Sequence, residues 1–126
     1  MKKTVLIIDD SALARRTVKN LLENDGFEVV GEVEGGPNAL NQFKELKPEI
    51  VTMDVSMEKM DGFKALNDIL NYNPEAKVVV ITSMAQEDAV KRSVELGAKY
   101  FIAKPFEGTE LVEIIEKVLN NQVFEH

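Results

Sequence analysis

Two kinds of hydrophobic pattern alternate along this chain. Val5-Leu6-Ile7-Ile8, Phe27 to Val33, Ile50-Val51-Thr52-Met53, Val78-Val79-Val80-Ile81 and Tyr100 to Ala103 are short runs rich in β-branched and aromatic residues, the pattern of strands. Between them apolar residues recur three and four apart, the pattern of helices with one buried face. Ala14, Val18, Leu21 and Leu22 mark the first helix, and Leu40, Phe43 and Leu46 the second. Phe63, Leu66, Ile69 and Leu70 mark the third, and Ala89, Val90 and Val94 the fourth. Leu111, Ile114, Ile115, Val118 and Leu119 mark the fifth.

Punctuation residues fall between these runs. Ser11 suits the N-cap of the first helix, and Gly26 stops it. Gly35-Gly36-Pro37 reads as a turn, with Pro37 at the first helical position of the second helix, which Pro48 ends. Gly62 opens the third helix and Asn73-Pro74 ends it, while Gly97 closes the fourth. From Asn120 onward the chain reads as frayed. Unbroken apolar runs suit strands buried on both faces, and each strand-helix repeat takes about 20–25 residues, so the pattern predicts an α/β fold with a parallel sheet and helices on both faces. Crossovers are expected to be right-handed. No linker, second domain, low-complexity tract or repeat is visible, so a single domain is expected over residues 1–126.

Candidate chemistry gathers where the strands stop. The first runs into Asp9-Asp10, the third into Asp54, the fourth into Thr82-Ser83 and the fifth into Lys104-Pro105. Ligands of open α/β sheets bind beyond the carboxyl ends of the strands, all on one edge, so these residues are expected to converge. The second strand ends in Glu32-Val33-Glu34, set aside as a remote edge. Taken singly, each residue has a plain alternative: a turn former or cap for the aspartates, a helix cap for Thr82, a solvated side chain for Lys104. Two acids, an acid, a hydroxyl and a lysine on separate strand ends point instead to a site.

Three clustered carboxylates repel by roughly 4 kcal/mol per pair at about 4 Å and an effective dielectric near 20. A hard divalent cation offsets that, and Mg2+ takes one or two carboxylates together with waters and phosphate oxygens. Lys104 then offers a point charge to a phosphoryl oxygen, and Thr82 a hydroxyl. A carboxylate can itself be the nucleophile and form an aspartyl phosphate. Phosphoryl transfer rests on positioning and charge neutralisation, which this set supplies.

Composition narrows the alternatives. The chain has no cysteine, and its single histidine is the last residue, His126, so disulfides, thiolate metal sites and histidine catalysis have no material. The net charge of −7 disfavours nucleic acid and anionic membranes as partners. No apolar run approaches the ~18 residues of a membrane helix. Lys2-Lys3 precedes only four apolar residues before Asp9-Asp10, too short for a secretory signal, so a cytoplasmic location without membrane insertion is expected.

On these residues the chain resembles the receiver domain of two-component response regulators, over about residues 4–120, and within it the stand-alone chemotaxis (CheY-like) type. The resemblance implies a doubly wound (βα)5 fold of flavodoxin/CheY-like kind with strand order 2-1-3-4-5. It implies that Asp54 is the phosphoacceptor, served by a histidine kinase. Asp10 would bind Mg2+ directly and Asp9 largely through water, with Asp54 and the backbone carbonyl of Ser56 as further ligands. Lys104 would contact the phosphoryl group, with a cis peptide to Pro105, and Thr82 and Phe101 would form the switch pair. Such a chain is a signalling switch that catalyses only its own phosphorylation and dephosphorylation, not an enzyme acting on other substrates.

Departures from the family pattern carry their own expectations. The pattern Met-Pro-x-Met-Asp-Gly reads here Met57-Glu58-Lys59-Met60-Asp61-Gly62, so the loop loses a fixed φ and gains a charge. The switch aromatic is often tyrosine, whereas Tyr100 is one position off and is expected on the other side of the sheet from Phe101. Met84 and Ser56 stand where the family flanks the hydrolytic water, and Met84 cannot bond it well, so slow self-dephosphorylation is expected. The implied readout is a flagellar motor switch or adaptor, with a phosphatase among the partners. The alternative is a phosphorelay intermediate that serves a histidine phosphotransferase. A flavodoxin-like nucleotide binder, a carboxylate-nucleophile phosphatase and a phosphate-independent binding module fit less well. The first needs a loop rich in Ser, Thr and Gly after strand one, the second an acceptor there, and the third usually lacks the acids or the lysine.

Overall fold

The five apolar runs pair into one parallel sheet. A computed structural model describes residues 2–35, 38–55, 62–82 and 87–121, with backbone alone at 87 and 88. In chain order the elements are β1 (Thr4–Ile8), α1 (Ala12–Asn24), β2 (Glu28–Val33), α2 (Asn38–Leu46) and β3 (Ile50–Asp54), then α3 (Gly62–Tyr72), β4 (Val78–Thr82), α4 (Glu87–Leu96), β5 (Tyr100–Ala103) and α5 (Gly108–Leu119). The strands lie in the order β2-β1-β3-β4-β5, and each neighbouring pair is parallel. This is the doubly wound order that the family resemblance implies. Every residue of β3 and β4 is buried, which is why these two runs show no polar alternation.

The period of two sorts side chains between two cores. Leu6, Ile8, Val51, Met53, Val78 and Val80 face a cluster with Phe43 of α2 and Leu66 and Ile69 of α3. Val5, Ile7, Ile50, Val79, Ile81 and Ile102 face Val18 and Leu22 of α1 and Leu111 and Ile115 of α5. Among the described residues no helix is long and apolar enough to cross a membrane.

Local signals set the helix ends. The Ser11 hydroxyl accepts the Ala14 N–H at 3.1 Å, satisfying one donor at the start of α1. At its end Gly26 takes φ +91°. The Gly26 N–H donates to the Glu23 carbonyl and the Phe27 N–H to that of Leu22, a Schellman closure that a side chain at Gly26 would strain. Phe27, expected within the second strand, is thus spent closing α1, and β2 starts at Glu28. Pro37 lies outside the described residues. Of the end expected to fray, Asn120 and Asn121 are hydrogen-bonded, the Asn120 N–H to the Glu116 carbonyl at 3.0 Å and the Asn121 N–H to that of Val118; residues 122–126 lie outside the described residues.

One feature of β2 bears on the site. Val5 pairs with Val29 but Leu6 pairs with Gly31, so Val30 is an extra residue, a β-bulge. Beyond it Glu32 pairs with Ile7 and shares that residue's face, the one covered by α1.

Candidate functional site

The sheet delivers its strand ends level with one another. The Asp9 N–H donates to the Val33 carbonyl at 3.0 Å, the Val55 N–H to that of Ile81 at 3.0 Å, and the Lys104 N–H to that of Thr82 at 2.7 Å. Each residue just past a strand therefore stays tied to the neighbouring strand. Asp54 ends β3 and Thr82 ends β4, so the acids, the hydroxyl residue and the lysine share one edge, as expected. The chain then returns close to the β3 end at Gly62. A Cβ there would meet Val55 Cα at 2.6 Å and the Asp54 carbonyl oxygen at 2.9 Å. Only glycine lets α3 start directly against the backbone of Asp54.

At the centre lie two buried carboxylates and one ammonium. Asp9 is 4% exposed and Asp54 5%. Lys104 Nζ donates to Asp54 Oδ2 at 2.7 Å and lies 3.7 Å from Asp9 Oδ2. Asp9 Oδ1 accepts the Ser11 N–H at 2.9 Å. Burial pushes the Asp9 carboxyl above the ordinary aspartate range; the charges of Asp54 and Asp10 add to this, while the Ser11 N–H and Lys104 oppose it. Burial alone would lower the Lys104 ammonium, but its hydrogen bond to Asp54 and the charges of Asp54 and Asp9 outweigh that and hold it above the ordinary lysine value.

These residues fit a hard divalent cation that brings ligands of its own. Among the described residues no group of three acidic side chains is arranged to hold a metal ion by itself. Among the described residues Lys104 pairs with both Asp9 and Asp54, and the charge of Asp10 also acts on Asp9, so acids gather here around a shared ammonium. The side-chain donors are all carboxylate oxygens. Mg2+ keeps several waters and takes one or two carboxylates, so it asks least of this set.

The remaining candidates divide. The Lys104–Pro105 peptide is cis, as the resemblance implies. Thr82 is 3% exposed. Val80 pairs with Phe101, so Thr82, two residues beyond Val80, projects from the same face as Phe101. Phe101 packs on the core beneath α2 and α3, and Tyr100 on the opposite core, as strand alternation requires. Ser56, Met57, Glu58, Ser83 and Met84 lie outside the described residues.

Two features of the site escaped the sequence. The first is Arg15, whose Nη1 donates to the Asp9 carbonyl at 2.6 Å and whose Nε lies 3.4 Å from Glu32 Oε1. The second follows from it: the end of β2, set aside as remote, reaches the pocket through Glu32 and Arg15. A signal did exist. Arg15-Arg16 stand early in a helix with no acid in its first turn, where the helix dipole disfavours cations. Beside the pocket, Leu13, Thr17, Leu21, Pro105 and Phe106 line an open, largely apolar groove of about 580 Å³, and Leu13 is 75% exposed.

Comparison with known proteins agrees with this fold. Residues 5–116 match the response regulator receiver domain. The chain is 43% identical over 118 residues to the chemotaxis protein CheY of Thermotoga maritima, covering 94% of this chain and 98% of that protein. It is 41% identical over 120 residues to the chemotaxis protein CheY of Bacillus subtilis, covering 95% of this chain and 100% of that protein. Among solved structures it is similar to the CheX–CheY–BeF3–Mg2+ complex of Borrelia burgdorferi, with a TM-score of 0.87 and 30% identity over 92% of this chain and 88% of that one.

Proposed function

We propose that this chain, which belongs to the response regulator receiver domain family, is a stand-alone signalling switch that takes a phosphoryl group onto Asp54. The observation that carries this reading is the buried Asp9–Lys104–Asp54 constellation, with Lys104 Nζ 2.7 Å from the acceptor carboxylate. Lys104 is already placed to follow a phosphoryl oxygen once the carboxylate is phosphorylated. In the transfer an Asp54 oxygen forms the new bond to phosphorus and the donor's bond to phosphorus breaks, while the carboxylates of Asp9 and Asp10 keep their covalent state. Asp10 and Asp9 would hold Mg2+, together with Asp54 and the Ser56 carbonyl. When bound, the ion neutralises charge on the transferring group. Similarity to a CheY crystallised with BeF3 and Mg2+ supports this assignment.

Receiver domains are signalling switches that take phosphate from histidine kinases and act on downstream proteins. Here the readout is a shift in population between two conformers, which a target that prefers one of them reads. Thr82 and Phe101, on one face of β4 and β5, are the pair that would carry the shift from the pocket to the surface. The apolar groove beside Lys104 suits the approach of a donor protein. The two CheY relatives favour chemotaxis, with a motor switch or adaptor as target and a phosphatase to reset it, over a relay intermediate. Incubation with acetyl phosphate and Mg2+, followed by intact mass, tests the core of this. One phosphoryl group is expected on the wild type and none on Asp54→Asn. A wild type that stays unmodified, or an Asp54→Asn variant that still gains phosphate, would refute it.

A further inference from the structure

We infer that Arg15 is a positioning residue for the acidic pocket: its guanidinium holds the main chain of Asp9 and so sets the pocket's affinity for a divalent cation. The placement is costly on its face. Arg15 stands four residues past the N-cap Ser11, at the end of a helix that disfavours cations, and its side chain is only 11% exposed. Burying a guanidinium requires compensation, and the anchors show where it comes from. Nη1 donates to the Asp9 carbonyl at 2.6 Å. Nε lies 3.4 Å from Glu32 Oε1, and Nη2 lies 4.0 Å from Glu34 Oε1. Nε makes no hydrogen bond of good geometry, so Glu32 holds the guanidinium by charge while the Asp9 carbonyl takes the short bond.

Asp9 is consequently fixed at three points. Its N–H is held by the Val33 carbonyl, its carbonyl by Arg15, and its Oδ1 by the Ser11 N–H. Its Oδ2 faces Lys104 across the pocket. The Asp9 carbonyl and the Asp10 nitrogen share one planar peptide, so the same bond that orients Asp9 also orients the start of Asp10. The β2 bulge is part of the device, because it places Glu32 on the α1 face where Arg15 can reach it.

This inference rests on reading the pocket as a Mg2+ site, and it makes a prediction of sign. As a mere charge, Arg15 repels a divalent cation, and its removal would tighten binding. As a positioning group, its removal loosens binding, in the way that loss of outer-shell partners costs tenfold or more in metal affinity. The test is Mg2+ titration of the full unphosphorylated chain, followed by amide NMR shifts at residues 9–11, with urea midpoints as the check on folding. Arg15→Met is expected to raise the Mg2+ dissociation constant about tenfold. Arg15→Lys should loosen it too despite keeping the charge, because an ammonium lacks the planar fork that reaches Asp9 and Glu32 together. Glu32→Gln should give a smaller loosening in the same direction, and it carries the test with Arg15→Lys if Arg15→Met does not fold. Unchanged or tighter binding in the folded variants would overturn the role of Arg15 while leaving the metal site standing. A wild type with no saturable Mg2+ response would overturn the site itself, and this inference with it.

Discussion

Replacing Lys104 by methionine keeps an apolar stem and removes the ammonium that lies 2.7 Å from Asp54 and 3.7 Å from Asp9. At an effective dielectric of about 20 those distances correspond to gross attractions of about 6 and about 4.5 kcal/mol. Desolvation of the three groups offsets most of this, and breaking a buried pair by deleting one partner costs about 3–5 kcal/mol. The Lys104 side chain is 31% exposed, so water screens part of the interaction, and about 2–3 kcal/mol is expected for Lys104→Met in chelator. That corresponds to a melting temperature lower by roughly 10 °C for a domain of this size. Saturating Mg2+ should shrink the gap to below about 1 kcal/mol, since a ligand that binds only the folded state stabilises it by mass action, and the variant pocket has one positive charge fewer. The gap should also close in alkali. The folded pKa of Lys104 is raised above its ordinary 10.5, so its contribution is intact at neutral pH and lost as pH climbs through the raised value. Urea unfolding of both proteins, in EDTA and in Mg2+, reads all of this. A gap that is absent in EDTA, or equal in the two buffers, would refute the view that Lys104 and a divalent cation neutralise the same acids.

Two further outcomes follow from the pocket. The folded pKa of Asp9 is raised above 3.8, so between the two values the folded chain holds more protons than the unfolded one, and stability falls as pH rises. Asp9→Asn should therefore be more stable than the wild type at pH 7 in chelator, and urea midpoints should show that advantage fading as pH drops toward 3.8. Gly62→Ala would drive a methyl group into the backbone of Asp54 and Val55. A loss of about 1–3 kcal/mol in urea unfolding is expected, together with slower acetyl phosphate labelling of Asp54 at saturating Mg2+.

The chain's own pattern was enough for the architecture. The runs that became β3 and β4 are continuous because both faces are buried, and that continuity is a local property of the residues. The capping of α1 by Ser11 and its closure by Gly26 are equally local. So is the position of Asp54 and Lys104 at strand ends, and a parallel sheet carries all such ends to one edge. The sequence could therefore determine which residues meet, though not which atoms face one another. That depended on register and reach. The bulge at Val30 is hinted at only by Gly31 beside it, yet it decides that Glu32 lies on the α1 face. Phe27 reads as strand by propensity but lost that role to the backbone bonds that close α1. Arg15 is not among the apolar positions that mark α1. It became part of the pocket only once α1 packed back over the end of β1, placing its guanidinium against a carbonyl six residues earlier and a carboxylate on a different strand. Hydrophobic spacing specifies which face of an element is buried; the position of a polar head group at the end of a long side chain is settled by the elements packed against it.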